Sequence, residues 1–286
     1  MKLRIEPPKM VVESAESLVR DLLKLRGLDE DWLVADLKDF PDYREANGFK
    51  EVKEFFDKVI MSKEIVGIIA DSDADGMSSA TILYSWLVAR GVDKERLYVF
   101  QHQGKQHGYP PVDALLKQMP KPKYVIVPDA GTSDQDRQRE YIQVGIESIV
   151  LDHHEPSIEL EELLVPTINY FAYKDPSPVE NPDLSGSSIC FKTVEAVDLS
   201  NGVEIDYEDE LYAKLLTFAA LGTVGDVMHL GDNNTKAVIN AGLNKPIEEA
   251  PDFIRAFYKA DRRIQGKPLS PFAVGWYIAP FINAII

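Results

Sequence analysis

A single cysteine, Cys190, occurs in the 286 residues. No internal disulfide framework can brace the fold, and a reducing compartment suits the chain. Basic residues are scarce: 31 Lys and Arg stand against 47 Asp and Glu, a formal net charge of −16. Phosphate backbones are gripped by Lys and Arg, so this balance argues against a broad nucleic-acid-binding surface. It leaves room for a local site, because bound divalent cations reverse the sign of a carboxylate-lined cleft. Arg255, Lys259, Arg262, Arg263 and Lys267 make the last quarter locally basic, either as a solvated helix face or as part of such a site. Long apolar runs are also missing. None reaches spanning length, and the opening MKLRIEPPKM has no apolar signal core. The expectation is a cytoplasmic protein with no membrane partner. Internal repeats and low-complexity tracts are absent as well.

Apolar residues make up 45% of the chain, ordinary for a globule and ample for a core. Residues 1–60 read as a polar helical segment, with "SAESLVRDLLKLRGL" placing Leu18, Leu22 and Leu25 at helical spacing and Gly27 as a stop. Then the texture changes. The runs "EIVGIIAD", "RLYVFQHQ", "KYVIVPDA" and "ESIVLDHH" alternate with amphipathic stretches such as "SSATILYSWLVARG". Apolar strands separated by helices imply a mainly parallel sheet covered on both faces, a doubly wound α/β fold. After about 170 the strand signal fades, and helices are expected near 187–199, 207–221, 235–243 and 251–262. The expected division is a helical segment 1–60, an α/β catalytic domain 61–235 and a helical extension 236–286.

In open α/β sheets ligands bind beyond the carboxyl ends of the strands. The residues there are Asp71 with Asp73 and Asp75 behind it, Asp129, and Asp152–His153–His154. A further acid, Asp226, follows an apolar helix in "LGTVGDVMHL". Any one of these acids could be a helix cap, as Asp75 before Gly76 illustrates. The whole set at one sheet edge points to metal. Carboxylates mixed with imidazole and lacking thiolates suit Mn²⁺ or Mg²⁺, with Zn²⁺ or Fe²⁺ less suited. This many ligands suits two ions, the arrangement that clamps attacking and leaving oxygens in an in-line phosphoryl displacement. Two rival readings of "DSDADG" fail. A calcium loop needs Glu at its twelfth position, which is Ile82, and a helix rather than "VGIIA" before it. An aspartyl-phosphate phosphatase, suggested by "DADGM", has no role for the later Asp-His-His.

With "DSDADG", "PDAG", "LDHH" and "GTVGDVMHL" in that order, the chain resembles the DHH-family phosphoesterases. Within them it is most similar to RecJ-type single-strand exonucleases, through "QGKQHGYPPVDALL", "LSGSSICFKTVEA", "GDNNTKAVINAGL" and "IAPFINAII". The resemblance implies Asp73, Asp75, Asp129, His153 and Asp226 as metal ligands, Asp129 and Asp226 as bridges between two ions, and Asp71 as a further ligand. It implies His154 facing the scissile phosphate or supporting the site, and Asp152 orienting an imidazole. The chain departs from the pattern at His229, where relatives have Pro, and at Asn234 and Phe281, where they have Arg. Lys105, His107 or Lys192 would then supply phosphate contacts, and the helix start at Ser187 and Ser188 would hold a phosphate through its N–H groups. His102 reads as a loop residue.

The implied activity is 5′-to-3′ hydrolysis of single-stranded DNA to mononucleotides, with Mn²⁺ as cofactor and replication or repair proteins as partners. Alternatives are hydrolysis of short oligonucleotides, cyclic dinucleotides or pyrophosphate, and a non-catalytic replication or repair scaffold. Relatives continue past "Pro-x-x-Asn-Ala" into a second domain, so a catalytic domain from a longer chain is expected.

Overall fold

The computed structural model describes residues 14–102, 104, 106–160, 162–243 and 245–285. Helices α1 (Ala15–Leu25) and α2 (Phe49–Met61) come first, joined by short 3₁₀ turns. The α/β region then runs β1 (Val66–Ala70), α3 (Ala74–Ala89), β2 (Leu97–Gln101), α4 (Val112–Gln118), β3 (Tyr124–Pro128), α5 (Gln135–Gln143), β4 (Glu147–Leu151) and β5 (Thr167–Ile168). Helices α6 (Gly186–Ser200), α7 (Glu210–Gly225), α8 (Asn233–Leu243) and α9 (Asp252–Ala260) follow, then α10 (Pro271–Ala273), a π turn (Val274–Ile278) and α11 (Ala279–Ile285). No described helix is long and apolar enough to cross a membrane.

The five strands pair in parallel in the order β2-β1-β3-β4-β5. The continuous apolar runs have a simple cause: alternate residues feed two separate cores. Val66, Ile68, Ile126, Ile149 and Leu151 join a large core with α2, α3, α6 and α7, while Ile69, Val125, Val127 and Val150 pack with Leu115 and Tyr141 of α4 and α5. The sheet is therefore covered on both faces, as expected. The fifth strand escapes the sequence pattern because it is only two residues long. Helix α2 contributes Val52, Phe55, Phe56 and Val59 to the large core.

The topology locates a site. From β1 the chain crosses through α3 to β2 on one side, then returns to place β3 on β1's other side. Strand order reverses between β1 and β3, which opens a crevice beyond their carboxyl ends. Ile68 pairs with Ile126 and Pro128 with Leu151. The same register, continued past the strand ends, puts Asp71, Asp129 and Asp152 in one row.

Candidate metal centre

Three side chains leave the switch point from one short stretch. Asp71 ends β1 and is 2% exposed. Asp73 caps α3, its Oδ1 accepting the amides of Asp75 and Gly76 at 2.9 Å each. Asp75 lies inside the first turn, where Oδ2 accepts the Gly186 amide at 2.8 Å and Oδ1 the Ser187 amide at 3.1 Å. Gly76 permits this turn, because a methyl there would overlap the Asp71 backbone.

Asp129 follows β3 with φ of 63°, left-handed backbone that Asp tolerates better than most residues. Its amide still reaches the Leu151 carbonyl at 2.7 Å, so the ladder is kept while the carboxylate turns over the sheet edge. There Oδ1 stands 3.2 Å from His153 Nε2, which lies 3.6 Å from an Asp226 oxygen. Asp226 reaches the cluster from the end of α7, its amide bonded to the Gly222 carbonyl at 2.8 Å. Four segments thus converge as expected, and ligand atoms within 4.8 Å of one another form three groups: Asp71–Asp73–Asp129, Asp75–His153–Asp226 and Asp129–His153–His154.

Electrostatics says what this cluster fits. Asp71 Oδ1, Asp129 Oδ1 and His153 Nε2 are buried without a hydrogen-bond partner among the described residues. Burial, then the charges of Asp75, Asp73 and Asp71, push the Asp129 carboxyl well above the usual range. Burial and the charges of Asp75 and Asp73 raise Asp226 to about 7. Burial also raises Asp71, although the His107 imidazole at 2.5 Å pulls the other way, and burial lowers His153. Orphaned lone pairs of carboxylate and imidazole, repelling one another in a buried row, fit a divalent cation. Oxygen donors with one or two imidazoles suit Mn²⁺ or Mg²⁺.

Asp152 plays a different part. Burial alone would raise it, yet the bond and charge of His154 and a bond from the Thr132 side chain outweigh that and leave it lowered. Its Oδ1 accepts His154 Nδ1 at 2.9 Å and the His153 and His154 amides at 2.8 and 3.1 Å; Oδ2 accepts Thr132 N–H at 3.0 Å. That carboxylate raises His154 to about 9, despite burial. With His107, Ser133 and Asp134, the half-exposed His154 lines a cleft of about 340 Å³. Asp152→Asn is expected to return the His154 pKa toward its ordinary value, readable by NMR titration, and to lower cation affinity or turnover about 10–100-fold.

Several expectations need correcting. Ser187 and Ser188 are fully buried and cannot reach a substrate phosphate: the first amides of α6 are taken by Asp75, and the hydroxyls bond Ser185, Thr223 and the Ala219 carbonyl. Lys192 is buried too, paired with Glu195 and 4.4 Å from the Phe40 ring centroid, away from the cleft. Lys105 falls outside the described residues. His107 lies at the cleft bound to Asp71, held by a loop whose Gly104 and Gln106 carbonyls accept Ser72 Oγ at 2.9 Å. His102 is buried, with Nε2 2.9 Å from the Gly108 carbonyl. His229 is exposed, 3.6 Å from Asp183. Within the basic segment, Arg255 pairs with Asp252 and Arg263 with Asp261.

The sequence reading missed two kinds of residue. Asn169, fully buried just past β5, donates to Thr132 Oγ1 at 2.8 Å and to the His154 carbonyl at 2.9 Å. The strand-end rule would have found it had β5 been recognised. Gly186 and Gly222 allow close approach, since a methyl would overlap Asp129 at the first and Asp75 at the second. Past Asp226, the exposed Val227 has φ of 58°, costly for a β-branched residue. Val227→Asn should relieve this and raise stability by about 1 kcal/mol in denaturant unfolding.

Fold and site together define an α/β protein whose sheet edge carries residues able to hold a divalent cation. The chain belongs to the DHH family: the model of the DHH family N-terminal domain matches residues 65–223. The single-stranded-DNA-specific exonuclease RecJ of Bacillus subtilis (strain 168) is 25% identical over 275 residues, covering 94% of this chain and 33% of that protein. RecJ of Thermus thermophilus, solved with Mn²⁺, shares the fold at 22% identity and a TM-score of 0.66, covering 84% of this chain and 32% of that one. Another exonuclease RecJ, solved bound to manganese, gives 24% and 0.68 over 84% of this chain and 57% of that one. The chain spans between a third and about half of the length of the curated relatives it matches.

Proposed function

We propose that this protein is a divalent-cation-dependent phosphodiesterase that trims single-stranded DNA from the 5′ end and releases mononucleotides. The convergence of orphaned Asp71, Asp129 and His153 atoms with Asp73, Asp75 and Asp226 at the switch point carries the reading. The single-strand-specific exonuclease relatives direct the choice of substrate. Asp71, Asp73 and Asp129 would hold one cation, and Asp75, His153 and Asp226 a second, with Asp129, which belongs to two of the converging groups, as the candidate for joining them. When bound, such a pair supplies positive charge to the oxygens of an in-line displacement at phosphorus.

The chain's own groups do the rest. His154, fixed through Nδ1 by Asp152, donates from the cleft wall to a phosphate oxygen. His107 flanks the same cleft as a second donor. Mn²⁺ is the proposed ion, with Mg²⁺ as the substitute. Incubation of 5′-labelled single strands with Mn²⁺ should release labelled mononucleotides, and Asp129→Ala should not. A cation-loaded protein that leaves every strand intact contradicts the proposal.

The charge of −16 favours a second reading, hydrolysis of short oligonucleotides, cyclic dinucleotides or pyrophosphate, because few cations flank the cleft to track a long strand. A faster rate on a dinucleotide than on a long single strand selects it.

A further inference from the structure

Behind Asp75 lies a layer of four hydroxyls. Ser185, Ser187, Ser188 and Thr223 are all fully buried. Thr223 Oγ1 donates to the Ala219 carbonyl at 2.8 Å and meets Ser185 Oγ at 2.9 Å and Ser188 Oγ at 2.8 Å. Ser185 Oγ lies 3.0 Å from Ser187 Oγ and accepts the Ser188 amide at 3.2 Å, which caps α6. A consistent proton assignment exists: with Thr223 donating to Ala219, Ser185 and Ser188 donate to Thr223. Small apolar residues would fill this space without the cost of burying four polar groups.

The network joins two points of the metal centre. On one side, the first amides of α6, from Gly186 and Ser187, hold both oxygens of Asp75. On the other, Thr223 sits in the last turn of α7, three residues before Asp226. Gly222, beside Thr223, lies so close that a methyl there would overlap Asp75 Oδ1 and Ser187 Oγ. Apolar contacts between α6 and α7 are non-directional and tolerate small slips, whereas a network of hydroxyl bonds fixes distance and angle.

We propose that Thr223, acting through Ser185, Ser187 and Ser188, is a positioning residue that sets Asp75 against Asp226 and thereby the affinity of the cation site they share with His153. This rests on the cation-binding reading above and goes beyond it, because it makes the two cation sites separately tunable. The Asp71–Asp73–Asp129 group contains none of the residues that this network holds.

The test is a calorimetric titration of the intact chain with Mn²⁺, in which Asp226→Asn identifies the binding step that belongs to the Asp75–His153–Asp226 site. Thr223→Val, which keeps the shape and removes the hydroxyl, should weaken that step at least about tenfold. It should leave the other step within about twofold, and Thr223→Ser should restore the loss. Ser188→Ala, removing a hydroxyl bonded only to Thr223 among the described residues, should weaken the same step less and decides the matter if Thr223→Val does not fold. Unchanged isotherms in both variants, or equal weakening of both steps in proportion to lost thermal stability, overturn the positioning role while leaving the cation reading intact. A wild-type chain that binds no Mn²⁺ overturns both.

Discussion

Asp129→Asn is expected to lower the proposed phosphodiesterase turnover about a thousandfold or more while leaving the metal-free protein as stable as before, or more stable. Asp129 stands at the centre of the row, 1% exposed, and belongs to two of the three groups of converging ligand atoms. Burial and three neighbouring carboxylates already favour its neutral form when no cation balances them. Asparagine imitates that neutral form, matches its volume and accepts the left-handed backbone that Asp129 adopts. Removing the charge therefore costs the metal-free fold nothing. The loss falls on cation binding, which needs the ionised oxygen. Thermal unfolding with and without Mn²⁺, set beside turnover, checks both halves. A variant that keeps its Mn²⁺-induced stabilisation would remove Asp129 from the ligand set.

The second large effect is on stability against pH. Asp71, Asp129 and Asp226 all have folded-state values above those of a free carboxyl, and Asp226 reaches about 7. A carboxyl raised in this way stabilises the fold fully below its unfolded value near 4 and loses that contribution as pH climbs through its folded value. His154, raised to about 9, also contributes below its unfolded value and loses that contribution by about pH 9. His153 is lowered and opposes the trend below its unfolded value near 6.5. Asp152, lowered as well, changes only in strong acid. Asp226 and His154, whose losses fall between pH 5.5 and 8, outweigh His153 and make the metal-free protein less stable at pH 8 than at pH 5.5.

Cations reverse the slope, because they bind the ionised carboxylates. At a hundredfold excess over Kd each site adds about 2.7 kcal/mol, so the gap between Mn²⁺-loaded and metal-free unfolding temperatures should widen from pH 5.5 to pH 8. A gap that does not change with pH would contradict this description of the cluster.

Much of this was legible in the residues. Val66–Ala70, Tyr124–Pro128 and Glu147–Leu151 stood out because a strand buried on both faces is apolar almost throughout, and the edge strand Leu97–Gln101 because its own run is apolar although half of it is open to solvent. The acids stood out as a set, because helix capping could explain any one of them but not Asp71, Asp129 and Asp152 each placed immediately after such a run. Thr167–Ile168 did not, since two residues show no period, and Asn169 was lost with it. The start of α6 is the instructive error. Its serines and free helix-start amides suggested an anion site, and an anion is indeed held there: the chain's own Asp75. Sequence spacing reveals that a helix start favours negative charge but not which carboxylate, 111 residues away, arrives to supply it. The left-handed turn at Asp129 was equally hidden, because Asp is as common in ordinary backbone.

Two cations held side by side by the acids at the switch point would be visible in electron paramagnetic resonance of a Mn²⁺ titration. The expected result is two Mn²⁺ per chain with the spectrum of an exchange-coupled pair, reduced to at most one uncoupled ion by Asp129→Asn. A wild-type chain that binds no Mn²⁺, or binds it identically after that substitution, would contradict it.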